Sequence, residues 1–288
     1  MGISAIFLAA TFIIYCLVNE LQDLLGKSFM CSIITLCFSK VFGVIGRTIS
    51  NRLSLAQCIS VGMLMHLGFL LAFFWLNVIS LILFVSVWWF TFGSIYAFGI
   101  PCLIMILIMI HDFTNQFDNS AVPKPGFGVA SCGFTNRGAQ VVYFYAPISI
   151  LLGINLVLFC ASACRLFLLS KQSSAFVFQF NHYLKLLVLM GIPWIFEVLS
   201  FFFSKKDDLS TATFIWLAFD IFNSLQGVII FIVFACRRAV FARVSETVCG
   251  SDYARKKYPD VFLQHANEET NDVYTQHDLR LMEAETRS

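Results

Sequence analysis

The chain has 288 residues, of which 59% are hydrophobic and 12% charged, with a mean hydropathy of +0.81. Soluble domains carry roughly 25% charge, so this composition excludes a water-soluble globular fold. The formal net charge of +2 gives no reason to expect a nucleic-acid partner, because such partners need a concentrated basic surface.

Seven charge-poor apolar runs, the first starting at Ile3 and the last ending at Cys236, predict an all-α membrane protein, a seven-transmembrane helix bundle over residues 1–236. A helix needs about 20 apolar residues to cross roughly 30 Å of hydrocarbon, and a backbone without water must bond within itself. The first run, near 3–18, has no basic segment before it and no small-residue cleavage site before Asn19-Glu20-Leu21-Gln22-Asp23. It reads as a retained span, not a signal peptide. The second run lies near 28–46. Residues 53–111 then contain no Asp, Glu, Lys or Arg, and as one helix they would reach about 90 Å, so they fold back at least once. Two spans near 56–79 and 92–111, joined around Ser80 to Gly93, are the economical reading; three would put the C-terminal tail on the other side. Further spans are predicted near 142–164, 184–203 and 212–236.

Residues 237–288 are expected to form a juxtamembrane amphipathic segment, Arg237 to Val244, at the inner leaflet, followed by a mobile cytoplasmic tail. That tail has nine acidic residues after position 244 and few large apolar ones. Thr270, Thr275 and Thr286 sit in acidic surroundings that kinases accept, and Cys236 and Cys249 are candidate palmitoylation sites. Basic residues flank the two faces almost evenly, but Arg237 and Arg238 abut the last span and Arg255-Lys256-Lys257 follow. This assigns the C-terminus to the cytoplasm and the N-terminus to the outside of a multi-pass plasma-membrane protein.

Several polar side chains fall inside the apolar runs. Pro193 removes a backbone hydrogen bond from the sixth span and kinks it, either as static shape or as a lever. Glu197 follows four residues later, where an ionised carboxylate must pair or protonate. Asp220, Asn223 and Gly227 share one helical face with Gln226 beside them, and Lys40 in the second span is the obvious cation for Glu197 or Asp220. Asp220 could equally sit at a wetted outer rim. Lys40, Glu197, Asp220, Asn223 and Gln226 are therefore the candidate polar contacts within the bundle. Of ten cysteines, Cys16, Cys31, Cys37, Cys102, Cys160 and Cys164 lie inside apolar runs and read as small hydrophobes. Cys58 and Cys132 differ, lying at a helix mouth and in the longest loop. The five histidines are scattered, there is no Cys-x-x-Cys or His-Glu-x-x-His, and no phosphate-binding glycine loop. Catalysis, a cofactor and a metal site are not expected, and Gly126-Phe127-Gly128 reads as a flexible turn.

The segment Leu184 to Phe201, with Met190-Gly191-Ile192-Pro193-Trp194 and Glu197, resembles the sixth helix of the insect Methuselah-like receptors, a branch of the secretin-like (class B) G-protein-coupled receptors. Leu71 to Ser80, Tyr96 to Pro101, Tyr143 to Pro147, Asn223 to Val228 and Leu24 to Lys27 resemble the same family in the same order, over roughly residues 1–240. The resemblance implies a receptor with an outer cavity for an extracellular peptide or amine ligand and an inner cavity for a heterotrimeric G protein, with a receptor dimer as a further partner. It also implies a Cys58–Cys132 disulfide, although Gly133 stands where the family usually has Trp. No Asn-x-Ser/Thr acceptor occurs, and the family's extracellular N-terminal domain is expected to be lacking. Trp88-Trp89-Phe90-Thr91-Phe92-Gly93 runs straight into Ser94-Ile95-Tyr96 without the family's charged second inner loop, part of the usual G-protein contact. The alternative is thus a truncated, non-signalling membrane paralogue that modulates a full-length receptor. A transporter or channel is disfavoured, as no inverted repeat is evident.

Overall fold

The computed structural model describes residues 1–85, 90–114, 123–129, 131–168, 184–185, 191–199, 201–202 and 211–263, and every described element is helical. Helix α1 (Gly2–Leu17) passes through a one-turn 3-10 helix, Asn19–Leu21, to α2 (Leu24–Thr48). The Asp23 carboxylate accepts from the Gly26 amide at 2.6 Å and starts α2, satisfying one of the donors that a helix N-terminus leaves open. A second 3-10 turn, Ser50–Arg52, leads to α3 (Leu55–Val85) and then α4 (Phe90–Phe113). Helix α5 (Arg137–Gln140) runs through a π turn, Val141–Tyr145, into α6 (Ala146–Leu168). The helical stretch 191–199 is α7. Helix α8 (Thr211–Ile230) ends in a second π turn, Phe231–Ala235, before α9 (Arg238–Cys249) and α10 (Ser251–Lys257). Among the described residues α2, α3, α4 and the composite Arg137–Cys164 are long and apolar enough to cross a membrane unaided.

Two helices therefore occupy residues 55–113, but α3 is longer than expected. Ser80 is not part of a link. Its hydroxyl bonds back to the Leu76 carbonyl at 3.0 Å and is buried, so nothing polar needs water there and the helix continues to Val85. Trp88 and Trp89 lie outside the described residues. At 31 residues α3 is about 46 Å long, longer than the roughly 30 Å of hydrocarbon.

Helix α3 is the central post. Every residue from 68 to 80 is buried, because α3 packs on α2, α4 and α6 at once. Helix α4 is buried only at Ala97, Pro101, Met105 and Ile108, a stripe of one helical face. Its other side exposes Phe98, Leu103, Ile106 and Ile110, as a lipid-facing surface should. Helix α1 buries Ser4, Leu8, Thr11 and Tyr15 towards α2 and α8.

Lipid tails are as apolar as leucine, so burial of apolar surface does little to hold helices together in a membrane. Small residues and interhelical hydrogen bonds matter more. Ser32 donates to the Ala72 carbonyl at 3.2 Å, the Cys37 thiol to the Ala5 carbonyl at 3.3 Å, and the Gly227 amide to Ser4 Oγ at 2.8 Å. These three contacts join α2 to α3, α2 to α1, and α8 to α1.

At the end of α8 the chain turns by 77° into α9. Arg243 in α9 pairs with Glu20 in the α1–α2 turn at 2.8 Å and with Glu246 at 3.2 Å. Helix extends further into the tail than the expected Arg237 to Val244 segment: α9 runs to Cys249, α10 covers Ser251–Lys257, and residues 259–263 are helical. Gly250 at φ +93° reverses the chain, Ala254 is buried as α10 packs on α9, and Asp260 meets Arg238 at 3.4 Å. Thr270, Thr275 and Thr286 lie outside the described residues. Cys236 and Cys249 are exposed at the two ends of α9.

Candidate functional site

A cavity of about 380 Å³ opens at the end of the bundle that holds the loop between α4 and α5. Its walls come from α2 (Ser39, Lys40, Arg47), α3 (Met65, His66, Phe69), the loop (Phe127, Cys132, Phe134), the first π turn (Phe144, Tyr145) and α7 (Trp194, Glu197).

Three covalent and polar anchors hold the loop over it. Cys58 and Cys132 are joined by a disulfide with Cα atoms 4.7 Å apart. The Asp112 carboxylate at the end of α4 accepts from the amides of Gly126 at 2.6 Å and Phe127 at 3.3 Å. His111 bonds to the Tyr143 hydroxyl across α4 and the π turn. Gly126-Phe127-Gly128 is therefore a pinned turn, not a flexible one. Gly126 and Gly128 have φ of +66° and +81°, which Gly adopts without steric penalty. The turn drives Phe127 inward, where it packs on Phe134 with ring centroids 4.7 Å apart. Phe134 in turn meets His66 edge-on at 5.1 Å. The residue after Cys132 is Gly133, and the aromatic contact with the bundle is made one position later.

Deeper in, the structure brings together three of the five predicted polar residues. Lys40 is buried, 3% exposed, and donates to the Asn223 carbonyl at 2.9 Å. The Asn223 side-chain amide donates to Glu197 at 3.1 Å. Lys40 thus engages α8 backbone, while Asn223 bridges α8 to α7. Gln226 is buried in α8 next to this cluster in sequence. The side chain of Asp220 lies outside the described residues. Pro193 is buried in α7 beside Trp194. The Trp194 indole closes the aromatic wall, edge-on to Phe69 at 5.2 Å and to Phe73 at 5.0 Å.

A second polar cluster escaped the sequence reading. Asn155 in α6 is fully buried and accepts from the Asn77 amide at 3.0 Å and the Ser80 hydroxyl at 2.8 Å, while Tyr96 in α4 donates to the Asn77 carbonyl oxygen at 2.9 Å. These four residues tie α3, α4 and α6 together in mid-bundle. The signal was available, since Asn155 is the lone carboxamide in an apolar run, and a polar group in lipid needs a partner. Substituting Asn155→Ala removes the one oxygen that accepts both interhelical hydrogen bonds, and since such contacts contribute ~0.6 kcal/mol on average and up to ~1.7, a loss of about 1–2 kcal/mol is expected. The detergent-solubilised variant should unfold at lower temperature than the parent in a scanning fluorimetry measurement; an unchanged midpoint would remove the role assigned to this cluster.

The sequence comparisons agree with this architecture. Residues 1–230 match the family described as 7 transmembrane receptor (Secretin family). The probable G-protein coupled receptor Mth-like 4 of Drosophila melanogaster is 27% identical over 266 residues, covering 83% of this chain and 50% of that protein. The G-protein coupled receptor Mth of the same species is 27% identical over 280 residues, covering 86% of this chain and 52% of Mth. The probable receptor Mth-like 2 is 28% identical over 267 residues, covering 82% and 49%. The chain spans about half the length of these curated relatives. The resemblance to Methuselah-like receptors stands, and membership of a receptor family agrees with the expectation that the chain is not an enzyme. With a helical bundle whose α3 is buried on every side from residue 68 to 80, and a match that runs from the first helix to the end of α8, the chain belongs to the secretin family of seven-transmembrane receptors.

Proposed function

We propose that this chain is the transmembrane bundle of a plasma-membrane G-protein-coupled receptor that transduces an extracellular ligand signal to a heterotrimeric G protein. The observation that carries the reading is the cavity itself. Its wall at Lys40 and Glu197 is tied through Asn223 to α8, so a ligand touching that wall acts directly on the contact between α2, α7 and α8. A ligand that binds one helix arrangement better shifts the population towards it. The disulfide supports an extracellular assignment for the cavity end, because thiols pair in oxidising compartments. Arg237 and Arg238, at the opposite end of α8, support a cytoplasmic C-terminus. Residues 1–236 form the bundle in this reading, and Pro193 is the hinge of its sixth span. Cys236 and Cys249, both exposed, are the acylation sites in this reading.

Glu197→Gln keeps the shape of the side chain but weakens the charge-assisted bond from Asn223. Losing roughly one interhelical contact of ~0.6 kcal/mol changes a two-state population about threefold, so ligand-independent nucleotide exchange should shift by that factor at matched surface expression. Exchange that is unaltered in both Glu197→Gln and Gln226→Ala would sink the reading of these residues.

A second reading rests on the α3–α4 connection. Helix α3 ends at Val85 and α4 begins at Phe90, which leaves little chain for a charged inner loop. In that case the chain is a non-signalling paralogue acting on a full-length receptor. Guanine-nucleotide exchange in membranes bearing the native chain, beside a chimera with a longer charged second inner loop, separates the two. Signalling by the native chain supports the receptor; signalling by the chimera alone supports the silent paralogue.

A further inference from the structure

We infer that the ligand of this cavity presents a carboxylate on a compact aromatic or apolar body. The inference deepens the receptor reading and rests on it only for the word ligand; the binding chemistry stands on the cavity. The polar groups of the cavity are unequally satisfied. Glu197, the one acidic residue of the lining among the described residues, already accepts from Asn223. Lys40 has three N–H groups, of which the Asn223 carbonyl takes one. The Trp194 indole N–H is buried without a hydrogen-bond partner among the described residues. The His66 ring, 1% exposed, has no hydrogen-bond partner among the described residues either. Arg47 adds a second cation to the lining.

Lys40 and Arg47 thus give the described lining more positive than negative charge, with Glu197 alone on the acidic side. A ligand ammonium would face Lys40 and Arg47 with a single carboxylate already engaged. A carboxylate accepts from Lys40 and supplies the counter-charge that the buried ammonium needs. The remaining surface is aromatic, with Phe69 and Phe144 edge-on to Trp194 at 5.2 and 6.0 Å. A volume of about 380 Å³ lies at the small end of the range for small-molecule sites, roughly 300–1,000 Å³. It suits one free aromatic acid or the last residues of a peptide with its terminal carboxylate. These two sources share the same recognising chemistry.

The test uses the full chain in lipid nanodiscs, without G protein, and two matched probe pairs followed by saturation-transfer NMR. The first pair is 4-phenylbutyrate and 4-phenylbutylamine; the second is the tripeptide Gly-Phe-Phe with a free and with an amidated C-terminus. In at least one pair the acid is expected to bind about tenfold more tightly than its uncharged or cationic partner, since placing like charges together is strongly unfavourable. Binding of 4-phenylbutyrate identifies a free acid as the source, and binding of the tripeptide acid alone identifies a peptide terminus. Lys40→Met should reduce acid binding about tenfold, as a hydrogen bond to a charged group is lost, while Lys40→Arg should retain the preference and guard against a folding defect. Glu197→Gln should strengthen acid binding, whereas a site built for amines would weaken. Equal or reversed preference in both pairs, no binding of either acid at millimolar concentration, or a preference that survives Lys40→Met would each overturn the inference. Nucleotide exchange without acid binding would leave the receptor reading intact and remove only this one.

Discussion

Replacing Gly227 with alanine should force α1 and α8 apart. A Cβ at this position would lie 2.2 Å from the Ser4 carbonyl oxygen, 2.5 Å from Ser4 Oγ and 2.7 Å from Leu8 Cγ. The nearest of these is backbone and cannot swing away, so the helices must separate. Overpacking of this kind costs about 1–3 kcal/mol, and the Ser4–Gly227 bond adds roughly 0.6, which predicts a loss on the order of 2–4 kcal/mol. Valine should be worse. Gly153 provides the matched control because it is exposed and a Cβ there meets nothing within 4 Å. Alanine is favoured over glycine in helices by ~1 kcal/mol, so Gly153→Ala should hold or raise the unfolding temperature while Gly227→Ala lowers it. Equal midpoints for the two variants would show that the α1–α8 contact is looser than described. Lowered stability would have functional consequences, since Gly227 lies one helical turn after Asn223, whose carbonyl and amide contact Lys40 and Glu197.

Breaking the disulfide should have an effect of similar size, at the loop that covers the cavity. Cys58 and Cys132 are 74 residues apart in sequence, and removing such a cross-link typically costs about 2–5 kcal/mol. The lower part of that range is expected for Cys132→Ser, because two of the intervening segments are helices that the bilayer would constrain even without the bridge. The local consequence is more specific than the loss of stability. The loop lies directly on α3 at Gly62, where a Cβ would come within 1.6 Å of the Cys132 carbonyl oxygen. Gly62→Ala should therefore lift the loop while leaving the disulfide formed. Both variants should lower the unfolding midpoint and open the space that Phe127 and Phe134 now line, and non-reduced peptide mapping should find the Cys58–Cys132 linkage in Gly62→Ala only. A Cys132→Ser protein that melts with the parent under non-reducing conditions would contradict the role given to the bridge.

These two positions also show what was and was not legible along the chain. The disulfide was expected from the family resemblance, and the structure forms it. The face shared by Asn223 and Gly227 was evident from their spacing, yet spacing alone did not say that Ser4 faces them. Lys40 was the candidate cation for Glu197 or Asp220; among the described residues it donates to a backbone carbonyl of α8, and Asn223 donates to Glu197. Asn155 was passed over although a lone carboxamide in an apolar run needs a partner; what the chain does not mark is that Asn77 and Ser80 supply it. Phe127 was hidden in a turn whose glycines suggested flexibility, because the Asp112 carboxylate that pins it comes from 14 residues earlier. The helices of the tail were missed for a related reason. Their support is the folding of α10 back on α9, together with Arg238 to Asp260 and Arg243 over the Phe262 ring at 5.3 Å, contacts that a charge count cannot reveal.

The sequence by itself determined that the chain lives in lipid as a bundle of helices and that it resembles a receptor family, because hydrocarbon permits few backbone solutions and the length of each apolar run is set by membrane thickness. It also marked which polar residues lie inside those runs. Only the tertiary structure decided how they pair, that α3 is the post around which the others pack, and that a pinned loop brings Phe127 and Phe134 to a cavity with Lys40, His66 and Trp194. The physical reason is that hydropathy is a property of each segment alone, whereas a hydrogen bond between helices depends on rotation and depth, which every neighbour in the bundle helps to set.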